Sequence, residues 1–436
     1  MATKISLIGA GSACFSLALI KDLCLTPNLS GSQVCLMDIS AQRLDAAYGL
    51  CMRYAQEVGS TLELVRTTER DRALEGADFV INTALVGGHQ RLQDGYRIGK
   101  KHGYHYGSYH VMHDEGFWIN YYQFHLFEAL VHDMQRYCPQ AWLLLVANPV
   151  LAGTTFLTRK YPWLKMVGLC HGFSAVYHLA EALGLDREGL TFEVPGVNHF
   201  VWLTHIYYRG EDVFPLLDQW IEEKAPAYWR ECRPSSDLGP KAVDLYRRFG
   251  AFPIGDTCTP GGGSWPWWYH SDAETEKRWH EDPHGWWWDG YFAGCAHQVE
   301  EIRRVVDDRT SQVTAWFPPK HSGEVMVPII ESIACDIPRV IIGNLPNHGD
   351  YVPGVPRDFA VEIPTLVSKR GIQGIQTGGL PAPLIAYILR DRVAPVNLEL
   401  EAYERGSREL LLLLIRMDPW SRSEKQAWQH PSRTIA

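Results

Sequence analysis

The sequence predicts an α/β fold: a doubly wound parallel sheet in the N-terminal part, followed by a mixed α+β part. Three observations carry this. Short apolar runs alternate with helical periodicity up to about residue 195, several of those runs are apolar on both faces, and the alternation then stops. Strands apolar on both faces and separated by helices belong to parallel sheets covered on both sides. Residues 4–8 are such a run, closed by Gly9-Ala10-Gly11-Ser12 and followed by a helical stretch over 13–23: strand, glycine turn, helix. A second run, 34–37, ends in Asp38, and the next helix sets Ala41, Leu44, Ala47 and Leu50 roughly on one face. Strands are predicted at 61–66 and 77–82, a helical turn at 70–74 and a long helix at 118–137. The run 141–147 is wholly apolar and closed by Asn148-Pro149, and 166–170 reads as a further strand. Beyond it lie short strands at 200–208, 340–343 and 360–363 and helices at 381–392 and 398–417. The expected organisation is a nucleotide-binding domain over 1–195 and an α+β domain over 196–436, without repeats or a low-complexity linker.

Composition removes several classes of function. At ~150 residues per domain, 436 residues make two or three domains with ample core. The 41 Lys+Arg against 50 Asp+Glu, a net charge of -9, argue against nucleic acid or an anionic membrane as partner. The longest apolar run near the C-terminus, 410–415, is far short of the ~20 residues a membrane span needs. No signal-peptide pattern is read behind Met1-Ala2-Thr3-Lys4. Ten cysteines are scattered without a CxxC pair, which suits reduced thiols in the cytoplasm, Cys170 being held apart from that reading. Sixteen tryptophans are many, and seven fall between Trp265 and Trp288. Indole rings stack on sugars and also build cores and subunit contacts. A dense aromatic loop beside polar residues favours a carbohydrate-type substrate over a small hydroxy acid.

Gly9-Ala10-Gly11-Ser12-Ala13-Cys14 reads GxGxxC where the full dinucleotide fingerprint is GxGxxG. Its context strengthens it, because it follows a strand, opens a helix, and Asp38 ends the next strand. Glycines allow a tight turn and close approach of backbone to a pyrophosphate, which then sits on helix N-terminal amides. An acid closing the second strand accepts from the adenosine ribose and repels a 2′-phosphate, so NAD is expected rather than NADP.

Four further islands carry unusual polar residues: Asn148-Pro149, Cys170-His171-Gly172-Phe173, Gly196-Val197-Asn198-His199-Phe200, and Pro253-Ile254-Gly255-Asp256-Thr257 before the Trp-rich segment. Cys170 and His199 could share one divalent metal, two protein ligands leaving positions open for substrate oxygens. From spacing alone, a buried thiol and a hydrogen-bonded histidine are the simpler reading, and Asp256 equally suits a cap.

Taken together, these islands resemble glycoside hydrolase family 4, the NAD- and divalent-metal-dependent glycosidases. The resemblance spans nearly the whole chain, including Gly343-Asn344-Leu345-Pro346 and Gly379-Leu380-Pro381. It implies the Rossmann-type fold of the lactate/malate dehydrogenase superfamily and a route without the usual carboxylate pair. In that route hydride leaves sugar C3 for NAD, the C2 proton becomes acidic and is removed, the C1 substituent departs, water adds, and hydride returns to C3. The metal stabilises the charge that develops on the sugar oxygens. Position by position, the resemblance makes Cys170 and His199 the metal ligands, Asn148 a contact to the sugar hydroxyls, and Asp256 the C2 base. His171 stands where phospho-α-glucosidases carry an acid-acting aspartate, which implies help to the leaving group or orientation of substrate. Cys170-His171-Gly172-Phe173 is similar to the Cys-His-Gly type of α-galacturonidases and α-glucuronidases, so a uronide is the expected substrate. A uronate carboxylate calls for a cation; Arg91 is the leading candidate, with Arg97, Lys100 and Lys101 behind it. Segment 104–116 departs from the family pattern, with His110 and His113 near the expected pocket. Mn²⁺ is the implied metal, although such a pair also accepts Fe²⁺, Co²⁺ or Ni²⁺. A homodimer or homotetramer is implied as well.

Two rival readings differ in class. A 2-hydroxy-acid dehydrogenase shares the cofactor fold, and Ala147-Asn148-Pro149-Val150 and Asn347-His348-Gly349-Asp350 imitate its motifs. An NAD-sensing regulator would tolerate alanine at Cys170, His199 and Asp256.

Overall fold

The computed structural model describes residues 2–104, 117–263, 265–281, 286–308 and 310–429. Fifteen strands are described: β1 (Lys4–Ile8), β2 (Gln33–Met37), β3 (Glu63–Thr67), β4 (Phe79–Asn82), β5 (Trp142–Leu145), β6 (Lys165–Gly168), β7 (Leu190–Glu193), β8 (Gly196–Val197), β9 (Phe200–Leu203), β10 (His205–Tyr208), β11 (Glu211–Asp212), β12 (Phe252–Ile254), β13 (Arg339–Pro346), β14 (Ala360–Ser368) and β15 (Gly371–Gly374). Twelve of them form one sheet, ordered β12-β9-β8-β14-β13-β6-β5-β4-β1-β2-β3 with β15 on β14. Its parallel half, β3-β2-β1-β4-β5-β6, has the doubly wound order expected. The order reverses between β1 and β4, which opens a crevice beyond their carboxyl ends.

Period-two alternation explains why these runs became central strands. Ile5 and Leu7 of β1, Val34 and Leu36 of β2 and Leu144 of β5 face one core layer. Ile8, Cys35, Met37, Leu143 and Leu145 face the other. Helices α1 (Ala13–Cys24) and α2 (Ala41–Glu57) cover the first face, and α3 (Arg70–Leu74), α4 (Gly88–Lys101), α5 (Phe117–Tyr137) and α6 (Val150–Lys160) pack with the second. Each buried Leu or Ile contributes ~1.5–3 kcal/mol, which makes this register costly to slip.

The sheet and the second core layer both run through residue 195. β13 joins β6 at Asn344↔Gly168, β14 pairs β13 along its length, and β8, β9 and β12 extend the sheet outward. The expected strand at 200–208 is two strands, because the chain leaves the main sheet at Thr204; β10 pairs instead with β7 and β11 in a small second sheet. The expected helix at 398–417 breaks at Gly406, whose φ of +59° ends one helix before Ser407 caps the next. The aromatic stretch is not one loop: Trp265 is fully buried against Phe200 (4.6 Å between ring centroids), and Trp286 opens a helix running to Asp307.

Candidate functional site

The glycine turn lies between β1 and α1, at the position the sequence predicts for it. Gly9 and Ala10 both donate their amides to Met37 O at 2.9 Å, which folds the turn back onto β2. Gly9 has φ +93°, and a Cβ there would lie 2.6 Å from the Cα and N of Ala84, so the chain following β4 touches the turn directly. Gly11 donates to Asp38 Oδ2 at 2.8 Å, and a Cβ on Gly11 would meet that oxygen at 2.5 Å. Asp38 is buried, also accepts from Ser40 N at 2.8 Å, and pairs with Arg43 at 3.2 Å. Ser12 begins α1 with no side-chain cap, and the first turn holds no acid, which suits those amides to an anion.

Sequence reasoning missed Asn82, which closes β4 beside this crevice. It is fully buried, its Oδ1 accepts from Ala84 N at 3.2 Å, and its Nδ2 has no hydrogen-bond partner among the described residues. A single polar residue ending an apolar strand was the available signal.

Cys170 follows β6 and is half-buried, its Sγ accepting from Gly172 N at 3.3 Å. The helical turn Gly172–Ser174 packs on the turn Gly255–Thr257: Gly255 has φ +54°, and a Cβ on it would sit 2.5 Å from Gly172 O. His199 is the second residue of the two-residue turn joining β8 to β9, held in the left-handed region at φ +57°. Its Nε2 lies 3.8 Å from Asp256 Oδ2, with the side chains 9% and 33% exposed. Thr257 Oγ1 locks this arrangement by accepting from Val201 N at 2.9 Å and donating to Val201 O at 2.8 Å. Thr259 Oγ1 donates to Asp256 Oδ1 at 2.8 Å, so one carboxylate oxygen is held and the other faces His199.

His171 is exposed, with its Nδ1 3.7 Å from Glu324 Oε1. Burial pushes the Glu324 carboxyl up, His171 opposes the shift, and Asp22 adds to it. Glu324 has no counterpart in the sequence reading, because nothing local marks it. Asn148 closes β5, half-buried, its Oδ1 accepting from Val150 N at 3.4 Å. Arg91, on the first turn of α4, is half-buried and lays its guanidinium over Tyr122 at 4.2 Å. Arg97 is exposed and paired with Asp94 at 3.7 Å, Lys100 is exposed near the Tyr96 ring, and Lys101 is exposed. His110 and His113 lie outside the described residues.

Among the described residues no group of three or more His, Cys, Asp or Glu forms a metal-ligand set. A thiolate with an imidazole is a donor set that first-row divalent metals accept. A cavity of about 530 Å³ lies elsewhere, lined by Pro27, Asn28, Ser30, Ala334, Cys335, Asp336 and Lys369. In the dehydrogenase-like Asn347-His348 pair, Asn347 closes its own loop through Val352 and Val355, and His348 is exposed. No described helix is long and apolar enough to cross a membrane.

Two family models match the chain. The family model for family 4 glycosyl hydrolases matches residues 4–185, and that for their C-terminal domain matches 194–421. An alpha-glucosidase of Erwinia rhapontici is 28% identical, the match covering 96% of this chain and 94% of that protein. An alpha-galacturonidase of Thermoanaerobacter italicus is 25% identical over 96% and 92%. Among solved structures, a 6-phospho-alpha-glucosidase from gut microorganisms in complex with NAD and Mn²⁺ superposes with a TM-score of 0.80 at 20% identity, covering 99% of this chain and 97% of that one. The lactate dehydrogenase of Eimeria maxima superposes at 0.56 and 13% identity, over 93% and 98%, a likeness of fold alone.

Proposed function

The chain belongs to glycosyl hydrolase family 4, and from that premise we propose that it releases a terminal uronic acid from an α-galacturonide, using NAD and a divalent metal, Mn²⁺. The observation that carries this reading is the meeting of three turns: Gly172 against Gly255, and Asp256 Oδ2 beside His199 Nε2 at 3.8 Å. The alpha-galacturonidase relative and the Cys170-His171-Gly172-Phe173 motif support the uronide.

Bound at this site, NAD supplies a hydride acceptor and donor, and the metal a Lewis acid. Gly9, Ala10, Gly11 and Ser12 would cradle the pyrophosphate at the start of α1, with Asp38 receiving the ribose; the crowding of any Cβ at Gly9 and Gly11 and the unbonded Asn82 Nδ2 fit that assignment. Cys170 Sγ and His199 Nε2 would hold the cation. Asp256 takes the C2 proton through Oδ2, since Oδ1 is held by Thr259. Asn148 binds sugar hydroxyls, Arg91 the uronate, and His171, exposed beside Glu324, meets the leaving group. The division at 195/196, the cytoplasmic location, supported by ten free thiols, and a homodimer or homotetramer belong to the same proposal.

The 28% identity to an alpha-glucosidase favours an α-glucoside as second reading. The test is release of free sugar from matched α-galacturonide, α-glucuronide, α-glucoside and α-galactoside, with NAD and Mn²⁺ each present or omitted. Uronic acid release that needs both, without NADH accumulating, upholds the proposal. Preferential glucose release moves it to the second reading, and NADH build-up without sugar release overturns it.

A further inference from the structure

The middle of β14 holds a buried acid that the proposed chemistry does not use. Glu362 is 1% exposed and stands between Val361 and Ile363, both fully buried. A carboxylate in such surroundings is expensive unless it is well hydrogen-bonded. Its Oε2 accepts from Asn198 Nδ2 at 2.8 Å and from Asn344 Nδ2 at 3.1 Å, and both asparagines are fully buried. Asn344 Nδ2 also reaches Gly168 O at 3.3 Å.

The backbone places these groups in one row across four neighbouring strands. Gly168 of β6 pairs with Asn344 of β13, Asn344 pairs with Glu362 of β14, and Glu362 pairs with Gly196 of β8. At one end of the row, Gly168 closes β6 two residues before Cys170. At the other, Asn198 immediately precedes His199 in the turn between β8 and β9. A single carboxylate oxygen therefore ties together the two chain segments on which the two proposed metal ligands stand.

We propose that Glu362, acting through Asn198 and Asn344, is a positioning residue that sets the spacing of Cys170 and His199 for a divalent cation. The inference rests on the reading of those two residues as metal ligands. Groups behind a metal's ligands orient them and tune their donor strength, and losing one typically weakens metal binding ~10–100-fold. Glu362→Gln keeps the shape but turns one carboxyl oxygen into an amide donor. Asn198→Ala keeps the carboxyl group but unties the His199 turn.

The experiment is calorimetric titration of the chelator-treated full chain with Mn²⁺, for wild type, Cys170→Ser, Glu362→Gln and Asn198→Ala. NAD affinity, followed by tryptophan fluorescence, is measured alongside for each. The expected result is one Mn²⁺ per chain for wild type, none for Cys170→Ser, and ~10–100-fold weaker Mn²⁺ binding for both other variants, with NAD affinity held within twofold. Wild-type Mn²⁺ affinity in Glu362→Gln and Asn198→Ala, while Cys170→Ser loses the metal, overturns the inference and leaves the metal reading intact. Mn²⁺ binding that Cys170→Ser does not alter overturns the metal reading itself and the inference with it. If Glu362→Gln does not fold, Asn198→Ala decides the same question.

Discussion

Replacing Gly9 by alanine separates the two duties of the glycine turn, because Gly11 offers a matched control. At Gly9 the new Cβ meets backbone, the Cα and N of Ala84 at 2.6 Å, in a residue already at φ +93°. The left-handed conformation costs an L-residue ~1–2 kcal/mol, and overpacking against atoms that cannot rotate away adds ~1–3 kcal/mol. The loss is ~2–5 kcal/mol. An unfolding entropy of ~2.1 cal/mol/K per residue makes about 0.9 kcal/mol/K over 436 residues, so Tm falls by roughly 2–5 °C if the chain unfolds as one unit. At Gly11 the three atoms nearest the new Cβ all belong to the Asp38 carboxylate, Oδ2 lying at 2.5 Å. That side chain turns aside, losing one hydrogen bond worth ~1.5–3 kcal/mol, but it no longer stands where a ribose would be received. Gly9→Ala should therefore lower Tm by up to about 5 °C, whereas Gly11→Ala should lower it by about 3 °C at most and still weaken NAD binding tenfold or more. Differential scanning calorimetry and fluorescence titration with NAD read the two effects. Equal losses of Tm in the two variants, or wild-type NAD affinity in Gly11→Ala, would refute the reasoning.

Asp256→Asn keeps an oxygen for Thr259 and removes the proposed base, so turnover should fall ~10²–10⁴-fold while Mn²⁺ and NAD still bind. Solvent deuterium at C2 of the released sugar reports the step, and undiminished label at wild-type rate would rule Asp256 out as the base. Lys241 is fully buried, donates to Glu281 at 2.8 Å and contacts His270 Nε2 at 3.2 Å, while burial first and Lys241 second hold that imidazole well below its usual range. Lys241→Met strands Glu281 and should cost ~3–5 kcal/mol in urea unfolding, with Glu281→Leu in the same chain restoring much of it; an unchanged midpoint would show that the pair carries no such weight. Burial alone would raise the Glu128 carboxyl, but bonds from Lys160, Tyr403 and Tyr161 bring it below its usual value. Its folded pKa being depressed, the stability it adds is present above the unfolded value of ~4.3 and lost as pH falls through the folded one. The stability gap between wild type and Glu128→Gln should accordingly be full at neutral pH and narrow as pH falls below the unfolded value of ~4.3, and a gap constant with pH would contradict the assignment.

Local chemistry made the N-terminal half legible in one dimension. Short apolar runs at 4–8, 34–37 and 141–147 marked strands, and Gly9-Ala10-Gly11 beside Asp38 marked the turn, because each signal lies within a few residues of its cause. The islands around Cys170, His199 and Asp256 could be named as well, since polar residues next to apolar strands stand out. What they do to one another was hidden. The 3.8 Å between His199 and Asp256 depends on Thr257 pinning its turn to β9 and on Gly255 accepting the carbonyl of Gly172 at close range. Likewise the seven tryptophans looked alike in composition, yet Trp265 became core and Trp286 remained 61% exposed. Glu362 shows the limit best: in a row of apolar residues its charge looks misplaced until β8 and β13 bring two carboxamides to it. Sequence by itself determined where most strands of the parallel half lie, where the glycine turn falls between β1 and α1, and which polar islands stand beside apolar strands. Tertiary structure alone decided which of them meet, because a contact between distant residues is set by strand order and packing rather than by any property of the segments that carry them.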